Sequence, residues 1–246
     1  MITKGGSSLG KNMYLESLAF IGVGGAHPGG LQLTKSILEK ENPNSDLSIL
    51  DAGCGTGQTA AYIAENFSCQ VLALDNNKLM LDKARKRFLT LGLPIETMLG
   101  TTESLPFSKT TFDIVFSESV IAFTHISKTV SEFKRILKPQ GTLYAIEMVL
   151  DDHQTSEHDI RKIKEFYGIN LLTEFEWIQA FQNGGFEKIN VEKYNYNNDS
   201  QNFYNAPDFE ISDDIGDKYF DILSEHINLT KQYNNILGFR IFTCSP

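Results

Sequence analysis

The 246-residue sequence has only three cysteines, Cys54, Cys69 and Cys244, and no paired spacing among them. So sparse and odd a set excludes a disulfide framework and fits a reducing compartment. It also offers no Cys-x-x-Cys or clustered Cys/His pattern for zinc, so no metal is expected. Basic residues are in deficit: 22 Lys and Arg against 31 Asp and Glu leave a formal net charge of −9. Such a surface repels phosphate backbones, and the densest basic stretch, Lys83–Arg87, reads as the solvated face of a helix. No nucleic-acid partner is expected. No apolar run reaches the ~20 residues of a membrane helix. Residues 1–11 lack the apolar core of a signal peptide. Repeats and low-complexity tracts are missing too. The expectation is a soluble cytoplasmic protein, monomer or homodimer, with a small-molecule partner. Its hydrophobic fraction of 41% is enough to bury a core.

What is present is alternation. Residues 14–21 suggest a short helix and Gly22–Gly30 a turn-rich loop, and Leu31–Glu41 carries an apolar helical stripe that includes Thr34. Strands are expected at Leu47–Asp51, Gln70–Leu74, Ile95–Leu99, Phe112–Phe116 and Thr142–Val149. Helices are expected between them at Thr59–Phe67, Lys78–Leu91 and Ser127–Leu137, with a turn at 138–141. Strands alternating with amphipathic helices mean a mostly parallel sheet covered on both faces. The pattern then loosens. Residues 151–172 are polar with one weak helix, and Thr173-x-x-Glu176 is a capping box opening a helix through Phe181. Lys188–Tyr196 reads as a strand, 197–213 as a polar loop, Asp214–Tyr233 as a helix and Gly238–Cys244 as a last strand. The expected organisation is one domain over 1–246. Residues 1–45 would form a lid and first helix, 46–150 the ligand-binding core, and 151–246 the rest of the sheet with substrate-side insertions.

The most informative stretch is Leu50-Asp51-Ala52-Gly53-Cys54-Gly55-Thr56-Gly57. An apolar strand ends in a carboxylate and three alternating glycines, and a helix follows. Glycine lets the chain turn sharply and lets a ligand approach the backbone. The spacing is G-x-G-x-G, not the G-x-G-x-x-G that seats a pyrophosphate at a helix N-terminus. A loop built for an anion has no use for Asp51 at its mouth, whereas one built for an ammonium and a sulfonium gains from it. The next strand ends at Leu74-Asp75, so both acids sit at carboxyl ends of adjacent strands. Asp75 reads either as a solvated turn acid or as the acceptor of two ribose hydroxyls, and the glycine loop before it favours the ribose.

Residues 49–150 resemble the class I S-adenosylmethionine-dependent methyltransferases. The resemblance rests on Leu50–Gly57, Leu74-Asp75, Gly100–Phe107, Phe112–Val115 and Leu137–Leu143, in that order and spacing. It implies a doubly wound α/β fold of seven mostly parallel strands, Rossmann-like, with the last strand antiparallel. It implies S-adenosyl-L-methionine as cofactor and S-adenosyl-L-homocysteine as product. The glycine loop would hold the methionine part, the acid after the second strand the ribose, and the segment after the third strand the adenine. The pocket so implied comprises Asp51, Gly53, Cys54, Gly55, Gly57, Asp75, Asn76, Thr101, Thr102, Glu103 and Ser117. Thr101 stands where the family often has an aspartate, and a hydroxyl accepts more weakly than a carboxylate.

Methyl transfer from a sulfonium is an in-line displacement in which the cofactor supplies the electrophile. The protein aligns the nucleophile, excludes water and, where needed, takes a proton. Glu118, in Ser117-Glu118-Ser119 after the fourth core strand, is one candidate. Glu147, in an apolar strand, is either a second or a buried structural acid. His27 is a base, a lid contact or a solvated turn residue, and His125 is similar. Two carboxylates facing one cavity would favour an amine or other cationic acceptor. The Asn/Asp-Pro-Pro-aromatic segment of methyltransferases acting on exocyclic nitrogens is absent at 117–120. The competing readings are a non-catalytic binder of S-adenosylmethionine and a nicotinamide-dependent oxidoreductase.

Overall fold

In a computed structural model, which describes residues 9–44, 46–151, 155–193, 208–213 and 215–246, the alternation of the sequence becomes a sheet wrapped by helices. In chain order the elements are α1 (Leu9–Ile21), β1 (Val23–Gly24), α2 (Gly30–Glu41), β2 (Ser48–Ala52), α3 (Gln58–Phe67), β3 (Gln70–Asp75), α4 (Lys78–Leu91) and β4 (Glu96–Leu99). There follow β5 (Phe112–Glu118), α5 (Ile126–Ile136), β6 (Leu137–Leu150), α6 (Glu157–Tyr167), α7 (Glu174–Asn183), β7 (Lys188–Lys193), β8 (Asp208–Phe209), α8 (Asp217–Gln232) and β9 (Leu237–Ser245).

Seven strands pair in the order β4-β3-β2-β5-β6-β9-β7. The first five are mutually parallel, and β9 runs antiparallel to both β6 and β7. This is the seven-stranded, mostly parallel sheet with an antiparallel last strand that the sequence resemblance implies. The chain moves outward from β2 through β3 to β4, then crosses back to β5 on the other side of β2. The order reverses between β2 and β5, and ligands of open α/β sheets bind in the crevice beyond the carboxyl ends of the strands at such a switch point.

The period-2 alternation of the strands sorts side chains onto two cores. Leu50, Ala52, Leu74, Val115, Leu143 and Ala145 face one core, closed by Phe133 of α5, Trp177 and Phe181 of α7 and Phe242 of β9. Ile49, Ala73, Ile114, Phe116, Tyr144 and Ile146 face the other, closed by α2, α3 and α4. The Thr173/Glu176 capping box forms and opens α7. Trp177 is fully buried against Phe181 and donates its indole N–H to the Met148 carbonyl at 3.0 Å, so its polar atom is satisfied.

Three details differ from the sequence reading. The stretch at 138–141, expected as a turn, lies within β6. There the register against β5 slips between Phe112 and Ile114, absorbing the extra residues without ending the strand. The loop expected at 22–30 contains β1, which pairs antiparallel with β8 from the stretch expected as a polar loop. The basic stretch of α4 is only partly solvated, since Lys83 is buried. Residues 194–196 of the expected strand and His153 lie outside the described residues. Among the described residues no helix is long and apolar enough to cross a membrane.

Candidate active site

At the carboxyl end of β2 the backbone turns through Gly53, Gly55 and Gly57 at φ +86°, +52° and +75°. Two of the glycines are required by packing. A Cβ at Gly53 would fall on the Val120 side chain, and one at Gly57 would lie 2.5 Å from the Phe88 ring. Gly55 differs: nothing lies within 4 Å of its missing Cβ. The middle of the loop therefore presents bare backbone to open space, which is what close approach of a ligand requires.

Acids surround this opening. Asp51 is 2% exposed, and its Oδ2 accepts the Ala60 N–H at 3.1 Å in the first turn of α3. Asp75 accepts the Gly55 N–H at 2.9 Å on Oδ2 and the Asn77 N–H at 2.8 Å on Oδ1, tying the glycine loop to the end of β3. Asn77 in turn caps α4 by accepting from Leu79 and Met80. The strand registers Asp51↔Ala73 and Asp51↔Phe116, with side chains alternating, put Asp51, Asp75 and Glu118 on one face at one edge of the sheet. Burial raises the Asp51 pKa well above the carboxylate range, and Glu118 and then Asp75 push the same way. Burial also raises Asp75, against the amides of Asn77, Gly55 and Asn76. Among the described residues, no Lys or Arg forms an ion pair with any of the three.

Glu118 is gripped from three sides. Thr34 of α2 donates to Oε1 at 2.5 Å and Thr59 of α3 to Oε2 at 2.6 Å, lengths typical of hydroxyl-to-carboxylate bonds. His27 Nε2 lies 3.5 Å from Oε1, with the two side chains 3% and 9% exposed. His27 Nδ1 is 3.2 Å from the Pro28 carbonyl, and Nε2 is 3.4 Å from Thr34 Oγ1, whose own hydrogen goes to Glu118, so both ring nitrogens face acceptors. The imidazole points Nε2 at the Glu118 carboxylate. The candidates His27 and Glu118 thus meet in space although 91 positions separate them in sequence. Neither Thr34 nor Thr59 was singled out by the sequence. Thr34 read as one more member of a helical stripe, and no local pattern marks a threonine that will meet a distant acid.

Glu147 lies elsewhere. Because Glu118 pairs with Ile146, Glu147 projects from the opposite face of the sheet. It is fully buried and accepts the N–H groups of Val120 at 3.1 Å, Ile121 at 2.8 Å and Ala122 at 3.3 Å. The carboxylate thereby fixes the turn after β5, where Ser119 is left-handed at φ +57° and Val120 packs against Gly53. Of the two readings open for Glu147, the geometry favours the buried structural acid, because it lies one residue past the position paired with Glu118 and so on the other face. Burial outweighs the three amides and lifts the Glu147 pKa from 4.5 to about 8. An acid with a raised folded-state pKa stabilises the fold fully below its unfolded pKa and loses that contribution as pH rises through the folded value. Glu147 is therefore expected to make stability decline between about pH 4.5 and 8. Urea unfolding at pH 5 and 8 should show the decline in the parent and a smaller one in Glu147→Gln.

The remaining candidates divide. Ser117 Oγ is buried without a hydrogen-bond partner on the Glu147 side of β5. Cys54 is buried in the loop with Sγ against the Gly55 carbonyl. Asn76 is exposed. Thr101 is exposed and accepts the Glu103 N–H at 3.2 Å, while Thr102 is buried with its hydroxyl 3.3 Å from that of Thr129. Glu103 accepts the backbone N–H of His125 at 3.0 Å, joining the third segment to the start of α5.

The residues fit the cofactor that the sequence resemblance implies. Bare backbone at Gly55 leaves room for it, and Asp51, buried with no Lys or Arg partner among the described residues, is relieved by its ammonium group. Residues 50–145 match a family model described as a methyltransferase domain. Over 93% of this chain and 97% of the relative, the sequence is 39% identical to the uncharacterized methyltransferase YodH of Bacillus subtilis (strain 168). It is 27% identical to phosphoethanolamine N-methyltransferase 1 of Arabidopsis thaliana over 70% of this chain and 35% of that one. Among solved structures it is similar to phosphoethanolamine N-methyltransferase 2 of Haemonchus contortus in complex with S-adenosyl-L-methionine. That likeness has a TM-score of 0.74 at 20% identity and covers 97% of this chain and 57% of that one. The chain spans about half or less of those two larger proteins. The protein belongs to the class I S-adenosylmethionine-dependent methyltransferases.

Proposed function

We propose that this enzyme methylates a nucleophilic atom of a small metabolite, with an amine or other cationic compound as the favoured acceptor class. The observation that supports the reading is the Glu118 carboxylate, held by Thr34 and Thr59 on the same face at the switch point as Asp51 and Asp75, with no Lys or Arg paired to any of the three among the described residues. When bound, S-adenosylmethionine supplies the methyl group and the sulfonium leaving group. Asp51 and Asp75 would meet the amine and the ribose, and the backbone around Gly55 would seat the chain between them. Glu118, held in place by Thr34 and Thr59 and facing His27 Nε2, would take the proton released when a neutral amine or hydroxyl becomes methylated. Glu147 serves as a positioning residue for the turn that carries Val120. Relatives named for ethanolamine phosphate support a small-molecule acceptor. The test is methyl transfer from labelled cofactor across a panel of amines, phenols and carboxylates. Turnover confined to phenols or carboxylates would overturn the acceptor class.

Proton linkage follows from one of these acids. Asp51 is raised in the free protein by burial, and an ammonium placed against it lowers it. Binding then releases protons, so affinity for S-adenosylhomocysteine is expected to rise as pH increases from 5 to 8. Calorimetry in buffers of different ionisation enthalpy should register proton release, and release should shrink in Asp51→Asn.

A further inference from the structure

The basic face of α4 grips a distant segment. Lys83, Lys86 and Arg87 share one helical face by their i, i+3 and i+4 spacing. Buried Lys83 donates to the Glu210 carbonyl, Lys86 pairs with the Glu210 carboxylate at 2.7 Å, and Arg87 pairs with Asp208. The segment is held on its other side by the β1–β8 pairing and by bonds from Glu210 N–H to the Gly22 carbonyl and from Ser212 N–H to the Phe20 carbonyl. Gly22 comes so close to Glu210 that a Cβ there would fall on its carbonyl oxygen.

This two-stranded ribbon lies against the glycine loop. A Cβ at Gly24 would be 3.1 Å from Thr56 Oγ1 and 3.3 Å from Asp208 Cβ, and one at Gly25 would be 2.7 Å from Gln58 Oε1. Arg87 closes the circuit: its Nε donates to the Thr56 carbonyl at 2.9 Å while its Nη2 holds Asp208. Thr56 lies between Gly55, whose backbone is bare, and Gly57, the entry to α3. A single guanidinium therefore joins the ribbon to the loop that seats the cofactor, using the planar fork that lysine lacks.

We infer that Arg87 is a positioning residue that couples the β1–β8 ribbon to the glycine loop, so that cofactor release depends on a contact remote from the bound molecule. The ribbon acts as a roof over residues 56–58, and Arg87–Asp208 is its latch. The pair is partly exposed, at 20% and 36% of its side-chain surface, so it adds little to global stability. Its effect falls on the loop. Salt should loosen the latch and speed release.

The experiment is stopped-flow dissociation of S-adenosylhomocysteine from the full-length protein. Arg87→Gln and Asp208→Asn are each expected to raise the dissociation rate about tenfold. The charge exchange Arg87→Asp with Asp208→Arg should recover part of the loss. Lys78→Gln, which removes the exposed i, i+4 pair with Asp82 at the far end of α4, should release at the parental rate. Parental rates in both single variants would overturn the inference. So would faster release in Arg87→Gln alone, because Arg87 would then act on Thr56 without the ribbon. Thermal unfolding of each variant shows that the fold is retained, and rescue by the exchange is a result that mere loss of structure does not give.

Discussion

Gly55→Arg is expected to abolish binding of S-adenosylhomocysteine while leaving the fold in place. The backbone there is left-handed at φ +52°, which disfavours an L side chain by about 1–2 kcal/mol. For a chain of this size that lowers Tm by roughly 2–8 °C. The new side chain meets no protein atom within 4 Å of its Cβ, so the core is not disturbed. It enters the space in which the ligand must approach the backbone, and it brings a guanidinium to the acids that would otherwise meet the ligand's ammonium. Affinity should fall by more than about 100-fold, equivalent to roughly 3 kcal/mol. Gly57→Arg gives the opposite balance. Its Cβ would press on the Phe88 ring at 2.5 Å and the Ala84 Cβ at 3.0 Å, so unfolding rather than binding is the first property to suffer. Calorimetric titration and thermal melts of the two variants separate the effects.

Glu118→Gln is expected to lower kcat by about 100-fold or more with S-adenosylhomocysteine affinity changed only a few-fold. A positioned general base contributes roughly 10²–10⁴ to rate. The amide keeps the shape and one acceptor oxygen for Thr34 or Thr59, but it no longer takes a proton opposite His27 Nε2. The measurement uses the best acceptor found in the panel, with kcat and cofactor affinity determined separately. An equal collapse of affinity would place Glu118 in the cofactor pocket and leave proton transfer to other groups. Unchanged kcat would remove it from the chemistry.

The parts of the site legible in the sequence are those built from consecutive residues. Asp51, the alternating glycines and the start of α3 are one strand-loop-helix unit, and Asp75 repeats the strand-end acid one crossover later. Local stereochemistry dictates such a unit, so it can be read without the fold. The parallel sheet was legible for the same reason, from apolar runs alternating with helical stripes. Contacts between distant segments were not. Thr34 and Thr59 reach Glu118 across 84 and 59 positions, and Arg87 reaches Asp208 across 121. A threonine on an apolar helix face and an arginine in a basic run carry no mark of such partners. The two readings of Glu147 stayed open because the sequence does not give the β5–β6 register. Once Glu118 pairs with Ile146, the pleat sends Glu147 to the opposite face, where the amides of residues 120–122 need an acceptor. The bulge within β6 was hidden by Pro139 and Gly141, which signal turns in most contexts.

Titrating the full-length protein with S-adenosylhomocysteine and NADH side by side, in two buffers of different ionisation enthalpy, tests the assignment of the crevice most directly. Saturable binding of S-adenosylhomocysteine with net proton release is expected, and no comparable heat from the dinucleotide. Tighter binding of NADH would contradict the assignment of the crevice, and binding of S-adenosylhomocysteine without any exchange of protons would contradict the role given to Asp51.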